Sequence, residues 1–236
     1  MVLTKIAINS HIKLLFRVLF LLIYSHSVIF AVLLSTMEII EAIHKTLNLV
    51  SSIDSSNHFN ERYIHHCFSR IIQEDTPVSF NTDTGLHPEW ATFIKNVRPF
   101  GRYKRNGYCY YPALNDGAAG YIDFAIGKSE NPDYAIEFKM ANKLDVEGLI
   151  FDYMKLMDQR NPIMTSISVA IYYGHTSHSR QCERTVLNNC ILEAKNRLRE
   201  LFVNRPHYFY LMEIVKAQRN RLFTSIDDLE FKELTL

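Results

Sequence analysis

The chain has 236 residues, 47% of them hydrophobic and 22% charged, with only 8 Gly and 7 Pro. This composition excludes a disordered chain, a collagen-like chain and a low-complexity linker; the length suits one large domain, or a domain with an appendage, that can bury roughly 70–75% of its unfolded surface. Lys and Arg number 26 against 25 Asp and Glu, and the resulting charge of +1 neither announces nor excludes a nucleic-acid partner, which local clusters decide.

Residues 1–36 differ from the rest. They carry Lys5, Lys13 and Arg17 and no acidic group, and Val18–Leu34 is a run of 17 uncharged residues. That is the low edge of the ~17–25 needed to span a bilayer. Lys13 and Arg17 before the run, with Glu38 and Glu41 after it, would leave the N-terminus in the cytosol and export the body. The cysteines argue otherwise. Cys67, Cys109, Cys182 and Cys190 form no CxxC pair, and unpaired thiols favour a cytoplasmic body. Three readings stay open: a single-pass membrane anchor through residues 12–34, a true start at Met37 with 1–36 an artefact of gene calling, and a signal peptide, for which no A-x-A site follows.

From Met37 the pattern is that of a globular domain. Residues 37–50 predict an amphipathic helix, with Ile39, Ile43, Leu47 and Val50 at spacings of three and four. A second helix runs over 60–74, with Tyr63, Ile64, Cys67, Phe68 and Ile71 on one face and Glu61 near its start. Residues 77–85 read as a loop, and Pro88 opens a short helix over 89–95. After Pro99 the period changes to two, and 107–112, 120–126, 134–140, 166–173 and 207–214 read as strands rich in Tyr, Phe, Ile and Val. Between the later strands lie a helix with Val146, Leu149, Ile150, Tyr153, Met154 and Met157 on one face, and a long helix over 180–202. A strand hairpin followed by alternating helices and strands predicts an α/β fold, a three-layer α/β/α sandwich around a central mixed sheet. No linker or repeat divides 37–236, which reads as one domain behind an N-terminal hydrophobic helix.

The chemistry concentrates in the hairpin from Tyr121 to Lys139. Ile122, Phe124 and Ile126 alternate with Tyr121, Asp123 and Ala125; Ile136 and Phe138 alternate with Ala135, Glu137 and Lys139. Residues 127–133 (GKSENPD) form the turn-rich loop. Pairing the strands across a centre at 130 makes opposed residue numbers add to 260, which sets Asp123 against Glu137. Directly opposed side chains have Cβ atoms about 4.5–5.5 Å apart, where like charges are destabilising. A shared divalent cation supplies a reason for the pair, and oxygen-only ligands suit Mg²⁺ or Mn²⁺. Lys139 shares the face of Glu137 about 6.5–7 Å along the strand, where an ammonium can hold a water or steady charge on a phosphoryl group. The bland alternative is the solvated face of a hairpin with a surface salt bridge. On that polar face, substitution of Asp123, Glu137 or Lys139 should leave folding intact, and Asp123→Asn or Glu137→Gln should even stabilise the metal-free protein.

Gly120-Tyr-Ile-Asp123, a loop, then Ala135-Ile-Glu137-Phe-Lys139 resembles the core of the PD-(D/E)xK nucleases, the restriction-endonuclease-like superfamily. Ile122 stands where the motif name places Pro, a position that varies in the family. The resemblance covers roughly Asn60 to Ile214 and extends to the next helix, with Asp145, Asp152 and Lys155 on its polar stripe. It implies a restriction-endonuclease-like fold and Mg²⁺- or Mn²⁺-dependent hydrolysis of DNA phosphodiester bonds. Asp123 and Glu137 would hold the metal with the backbone carbonyl of Phe138, Glu61 would be a further or second metal ligand, and Lys139 would position the water. The alternative is a catalytically inactive member of the same fold that binds nucleic acid or protein, or a membrane-anchored interaction protein if residues 12–34 insert. Expected partners are DNA, a second copy in a homodimer and, through residues 12–34, a membrane.

Other features carry less. Arg98, Arg102, Lys104 and Arg105, with Tyr103 among them, can pair with phosphates and stack on unpaired bases, or can be a solvated loop. Lys216, Arg219 and Arg221 read as a solvated helix face. His175, His178 and Cys182 lack the fourth ligand of a closed zinc site. His65 and His66, adjacent on a helix, read as a polar rim. No P-loop, GxSxG or HExxH motif occurs.

Overall fold

The computed structural model describes residues 38–51, 60–75, 85–97, 111–113, 118–141, 146–172, 180–214, 221–226 and 232–234. Helix α1 covers 38–51, and α2 covers Glu61–Asp75. Strands β1 (Gly85–Val97), β2 (Tyr111–Ala113), β3 (Ala118–Lys128) and β4 (Asn131–Ala141) follow, then α3 (Val146–Met157) and β5 (Thr165–Tyr172). Helix α4 (Arg180–Leu198) runs into a short 3₁₀ turn, Arg199–Leu201, and β6 (His207–Glu213), β7 (Arg221–Ile226) and β8 (Lys232–Leu234) close the order.

The described strands form one mixed sheet in the order β2-β1-β3-β4-β5-β6-β7-β8. β4, β5 and β6 run parallel, and every other neighbouring pair is antiparallel. Parallel strands sit in the middle of α/β sheets because helices cover both faces. Here Ile39, Ile43 and Leu47 of α1 and Ile64, Phe68 and Ile72 of α2 pack with Phe124, Ile136, Phe138, Val169 and Tyr210 on one face. On the other, Leu149, Met154 and Leu156 of α3 and Leu187, Ala194 and Leu198 of α4 pack with Ile122, Ala135, Ala170 and Leu211. The protein is therefore α/β, with helices on both faces of a mixed sheet.

Several expectations need correction. Residues 89–95 are not a helix but part of β1. Trp90, Thr92 and Phe93 favour a pleated strand, and Pro88, which pairs with Phe124, lies beyond the short β2 ladder, where a missing N–H costs nothing. The loop over 127–133 shrinks to a turn at Ser129 and Glu130, since β3 continues to Lys128 and β4 begins at Asn131. A bulge at Gly127, whose φ is 114°, absorbs the difference. Arg221 begins β7 rather than continuing a helix face. Tyr63 and Val146 are 40% and 45% exposed and do not join the apolar faces of their helices.

The predicted register holds where the hairpin is paired: Phe124 faces Ile136, Ala125 faces Ala135 and Ile126 faces Tyr134. The simple alternation of β3 does not. Ile122 packs with α3 and α4, whereas Phe124 and Ile126 pack with α1 and α2. Beside this change of face, the β1 ladder steps from Pro88↔Phe124 to Trp90↔Ile122 past Glu89, which has φ 55°. Asp123 thus stands at a kink.

Candidate functional site

Beyond Phe124↔Ile136 the β3–β4 ladder ends, and carboxylates take its place. The backbone N–H of Phe138 donates to Asp123 Oδ2 at 2.7 Å, and that of Met140 donates to Glu61 Oε2 at 3.1 Å. The fork between β3 and β4 is therefore lined by two carboxylates, one from the kink in β3 and one from the first turn of α2. Asn60 sets the latter by capping α2, its Oδ1 accepting from the Tyr63 N–H at 3.1 Å, and a carboxylate suits the positive end of a helix.

One turn further along α2, His65 points the same way. Its Nε2 lies 3.3 Å from Asp123 Oδ2, and its ring packs edge-on against Phe124 at 5.3 Å between centroids. The polar-rim reading fits His66, which is exposed, but not His65, which is half-buried at the site. Residues four apart on a helix share a face, so Glu61 and His65 form a pair that the sequence carried all along.

From β4, Glu137 and Lys139 project toward α3. Lys139 Nζ lies 3.6 Å from Asp152 Oδ2. Lys155 Nζ is paired with Glu137, lies 3.0 Å from Asp152 Oδ1 and donates to the Tyr121 carbonyl at 2.6 Å. The polar face expected for the hairpin is therefore a covered one: Glu137 is 5% exposed and Lys155 4%. Substitutions of Glu137 cannot be neutral to folding as expected, because the carboxylate is half of a buried ion pair. A small cleft open to solvent runs from Glu137, Lys139 and Asp152 between Tyr153 of α3 and Leu187 of α4.

Electrostatics follow from this crowding. Burial, reinforced by the Asp123 charge, pushes the Glu137 carboxyl well above its ordinary range against the pull of Lys155. Burial also raises Glu61, with Lys139 and the Met140 N–H opposing. For Asp123 burial works upward too, but the His65 contact, the Phe138 N–H and the Lys155 charge outweigh it and hold the carboxyl below its usual value. For His65 burial works downward and is outweighed by Asp123, so the imidazole sits above its usual value. Asp152 lifts the Lys139 ammonium above its normal range, and Asp152 and Glu137 lift Lys155 despite its burial, so both lysines are firmly cationic.

Four carboxyl groups, Glu61, Asp123, Glu137 and Asp152, thus meet two ammonium groups and one imidazole. The donors are oxygens, the type a hard divalent ion takes. In type and charge the residues fit Mg²⁺ or Mn²⁺. Among the described residues, however, no three His, Cys, Asp or Glu side chains already converge as a ligand shell, and the cation seated on Glu137 is Lys155.

No family model, curated protein or solved structure matches this chain. The structure brings Glu61, Asp123, Glu137, Phe138 and Lys139 together, and adds His65, Asp152 and Lys155. Lys155 was legible as a polar position beside Asp152; its burial was not. The segment with Arg98, Arg102, Tyr103, Lys104 and Arg105 lies outside the described residues, as do residues 12–34, Asp145, His175, His178, Lys216 and Arg219. Among the described residues no helix is long and apolar enough to cross a membrane.

Proposed function

We propose that this chain is a metal-dependent nuclease of the PD-(D/E)xK type, hydrolysing phosphodiester bonds in DNA. The observation that carries the reading is the fork: Asp123 and Glu137 stand on neighbouring strands just beyond the last pair, Phe124↔Ile136, without pairing with each other, Lys139 follows Glu137 by two residues, and Glu61 joins them from α2. Asp123 and Glu137, with the Phe138 carbonyl, would hold the ion, and Glu61 would support it from the helix start. A bound Mg²⁺ or Mn²⁺ supplies a Lewis acid that neutralises phosphate charge and makes a bound water more acidic. Lys139, 27% exposed at its side chain and steadied by Asp152, is the cation open to solvent and suits a role beside the water or the phosphoryl oxygens. His65 keeps Asp123 ionised and oriented. DNA would approach with its backbone on the basic segment 98–105, which follows β1 directly in sequence.

The same restriction-endonuclease-like frame without activity, binding nucleic acid or protein, is the second reading. It is favoured by the Lys155–Glu137 ion pair, which sets a cation on a carboxylate that a metal would need. Plasmid nicking separates the two. Wild type should nick in Mg²⁺ and stop in EDTA, and Asp123→Ala should be inactive in both. Cleavage that survives the chelator and the substitution would sink the metal-nuclease reading, and binding without cleavage would support the second.

A further inference from the structure

We propose that the Lys155 ammonium is the resident cation of this site, holding Glu137 in place when no divalent ion is bound and yielding part of that carboxylate when one binds. The inference rests on the metal-dependent reading above and specifies how that site is kept before loading.

Three observations carry it. Lys155 Nζ is surrounded by oxygens from three elements: it forms ion pairs with Glu137 of β4 and Asp152 of α3 and donates a hydrogen bond to the Tyr121 carbonyl of β3. The arrangement resembles a small oxygen cage around a cation rather than a chain of surface pairs. Second, burying an ammonium is unfavourable unless it is fully paired, and a lysine in the middle of the otherwise apolar buried face of α3 is hard to explain by packing, since Met154 and Leu156 beside it fill such space without charge. Third, the two lysines divide the work. Lys139 reaches Asp152 from the solvent side, so the cation in contact with Glu137 is Lys155.

A merely structural role is the competing account, in which Lys155 ties α3 to the sheet and is indifferent to metal. The two differ in what happens when the ammonium is deleted. As resident cation, its loss leaves Glu61, Asp123, Glu137 and Asp152 facing Lys139 and the His65 imidazole, with Glu137 stripped of its own cation, and a divalent ion should then bind more tightly and restore the fold. As a plain tie, its loss weakens the fold by an amount that no ion recovers.

Thermal melts of the full chain in EDTA and in excess Mn²⁺ test this, with wild type, Lys155→Met and the double variant Glu137→Gln/Lys155→Met. In EDTA, Lys155→Met should melt roughly 10 °C below wild type. Mn²⁺ should recover more than half of that loss while raising wild type by less, and calorimetry should show roughly tenfold tighter Mn²⁺ binding to Lys155→Met. The double variant, with neither charge, should melt near wild type in EDTA and respond little to the ion. A Mn²⁺ increment in Lys155→Met no larger than in wild type overturns the inference, and so does a Lys155→Met protein that stays unfolded in both buffers. If neither wild type nor Lys155→Met responds to Mn²⁺ in melts or calorimetry, the metal-dependent reading itself has failed.

Discussion

Asp123 and Lys139 differ in what holds them, and their substitutions should differ accordingly. Lys139 keeps 27% of its side chain in solvent and has one carboxylate contact, at 3.6 Å. The pair is partly buried but long, and contacts of that length contribute about 1 kcal/mol, so Lys139→Ala should fold and bind Mn²⁺ almost as wild type while cleavage falls roughly 100-fold. Asp123→Asn keeps an acceptor for the Phe138 N–H, so stability should hold within about 1 kcal/mol while Mn²⁺ affinity drops roughly tenfold or more. Glu137→Gln is the severe member of the set. It leaves Lys155 buried with Asp152 as its remaining carboxylate and should destabilise the metal-free protein by about 1–3 kcal/mol. Calorimetric Mn²⁺ titration and melts of the three variants check the scheme, and a Glu137→Gln protein more stable than wild type would contradict the burial of that pair.

At the scale of elements, the site exists because β3 and β4 stop pairing. Past Ile136 the N–H groups of β4 need acceptors, since a buried unpaired donor is unfavourable by about 1–3 kcal/mol, and the carboxylates of Asp123 and Glu61 provide them. Glu61→Gln should therefore fold normally, whereas Glu61→Ala should lose about 1 kcal/mol and loosen the start of α2 against the fork; amide exchange at Met140 reads this out directly. The other end of the hairpin is fixed by Gly127. At φ 114° its conformation is one that L side chains rarely adopt, and an added Cβ would lie 2.8 Å from the Asp133 backbone nitrogen. Gly127→Ala should be destabilising by about 2 kcal/mol in urea melts, through strain at the bulge that sets the register of Phe124 against Ile136.

At the scale of the whole molecule, the two cores found among the described residues draw on positions from Ile39 onward. If translation starts at Met37, a chain that begins there should fold with the circular dichroism of an α/β domain and a melting temperature within a few degrees of a chain containing residues 1–36. Among the described residues, His207 has the most strongly lowered pKa of the groups that weaken the fold in acid. His207, at the start of β6, is enclosed against Tyr153, and burial together with the Arg205 charge lowers its pKa to about 3. Below about pH 6.5 the unfolded chain takes up a proton at this imidazole that the folded chain refuses, so stability falls as pH drops, by up to about 1.4 kcal/mol per pH unit. Glu137 contributes with the opposite sign, because its raised pKa favours the folded state as the carboxyl protonates. His207→Gln should flatten the slope of stability between about pH 4 and 6 relative to wild type, measured by urea unfolding at each pH.

Much of this arrangement is local and so is written in the sequence. Period-two runs of Tyr, Ile and Phe located β3 to β6, the spacing of Ile39, Ile43 and Leu47 located α1, and the turn chemistry of GKSENPD fixed a register that holds from Phe124 to Ile126. From that register Asp123, Glu137 and Lys139 could be grouped, and the position of Glu61 at a helix start could be added. Other features depend on distant partners. Residues 89–95 carry mixed short-range signals, a first-turn proline before them and strand-favouring Trp90, Thr92 and Phe93 within, and pairing with β3 decides for the strand. Asp123 belongs to a kink because Ile122 and Phe124 are claimed by different cores, a decision made by helices over twenty residues away on either side. Glu137 and Lys155 look solvated in any local pattern, since charge and alternation are the same for an exposed face and a covered one. It is the packing of α3 across β4 that removes water from both and turns two surface charges into a buried pair, and His65 enters the site because α2 lies over the fork on the opposite face. Local interactions chose the elements and their register; the desolvation that gives the site its chemistry required the layers to close.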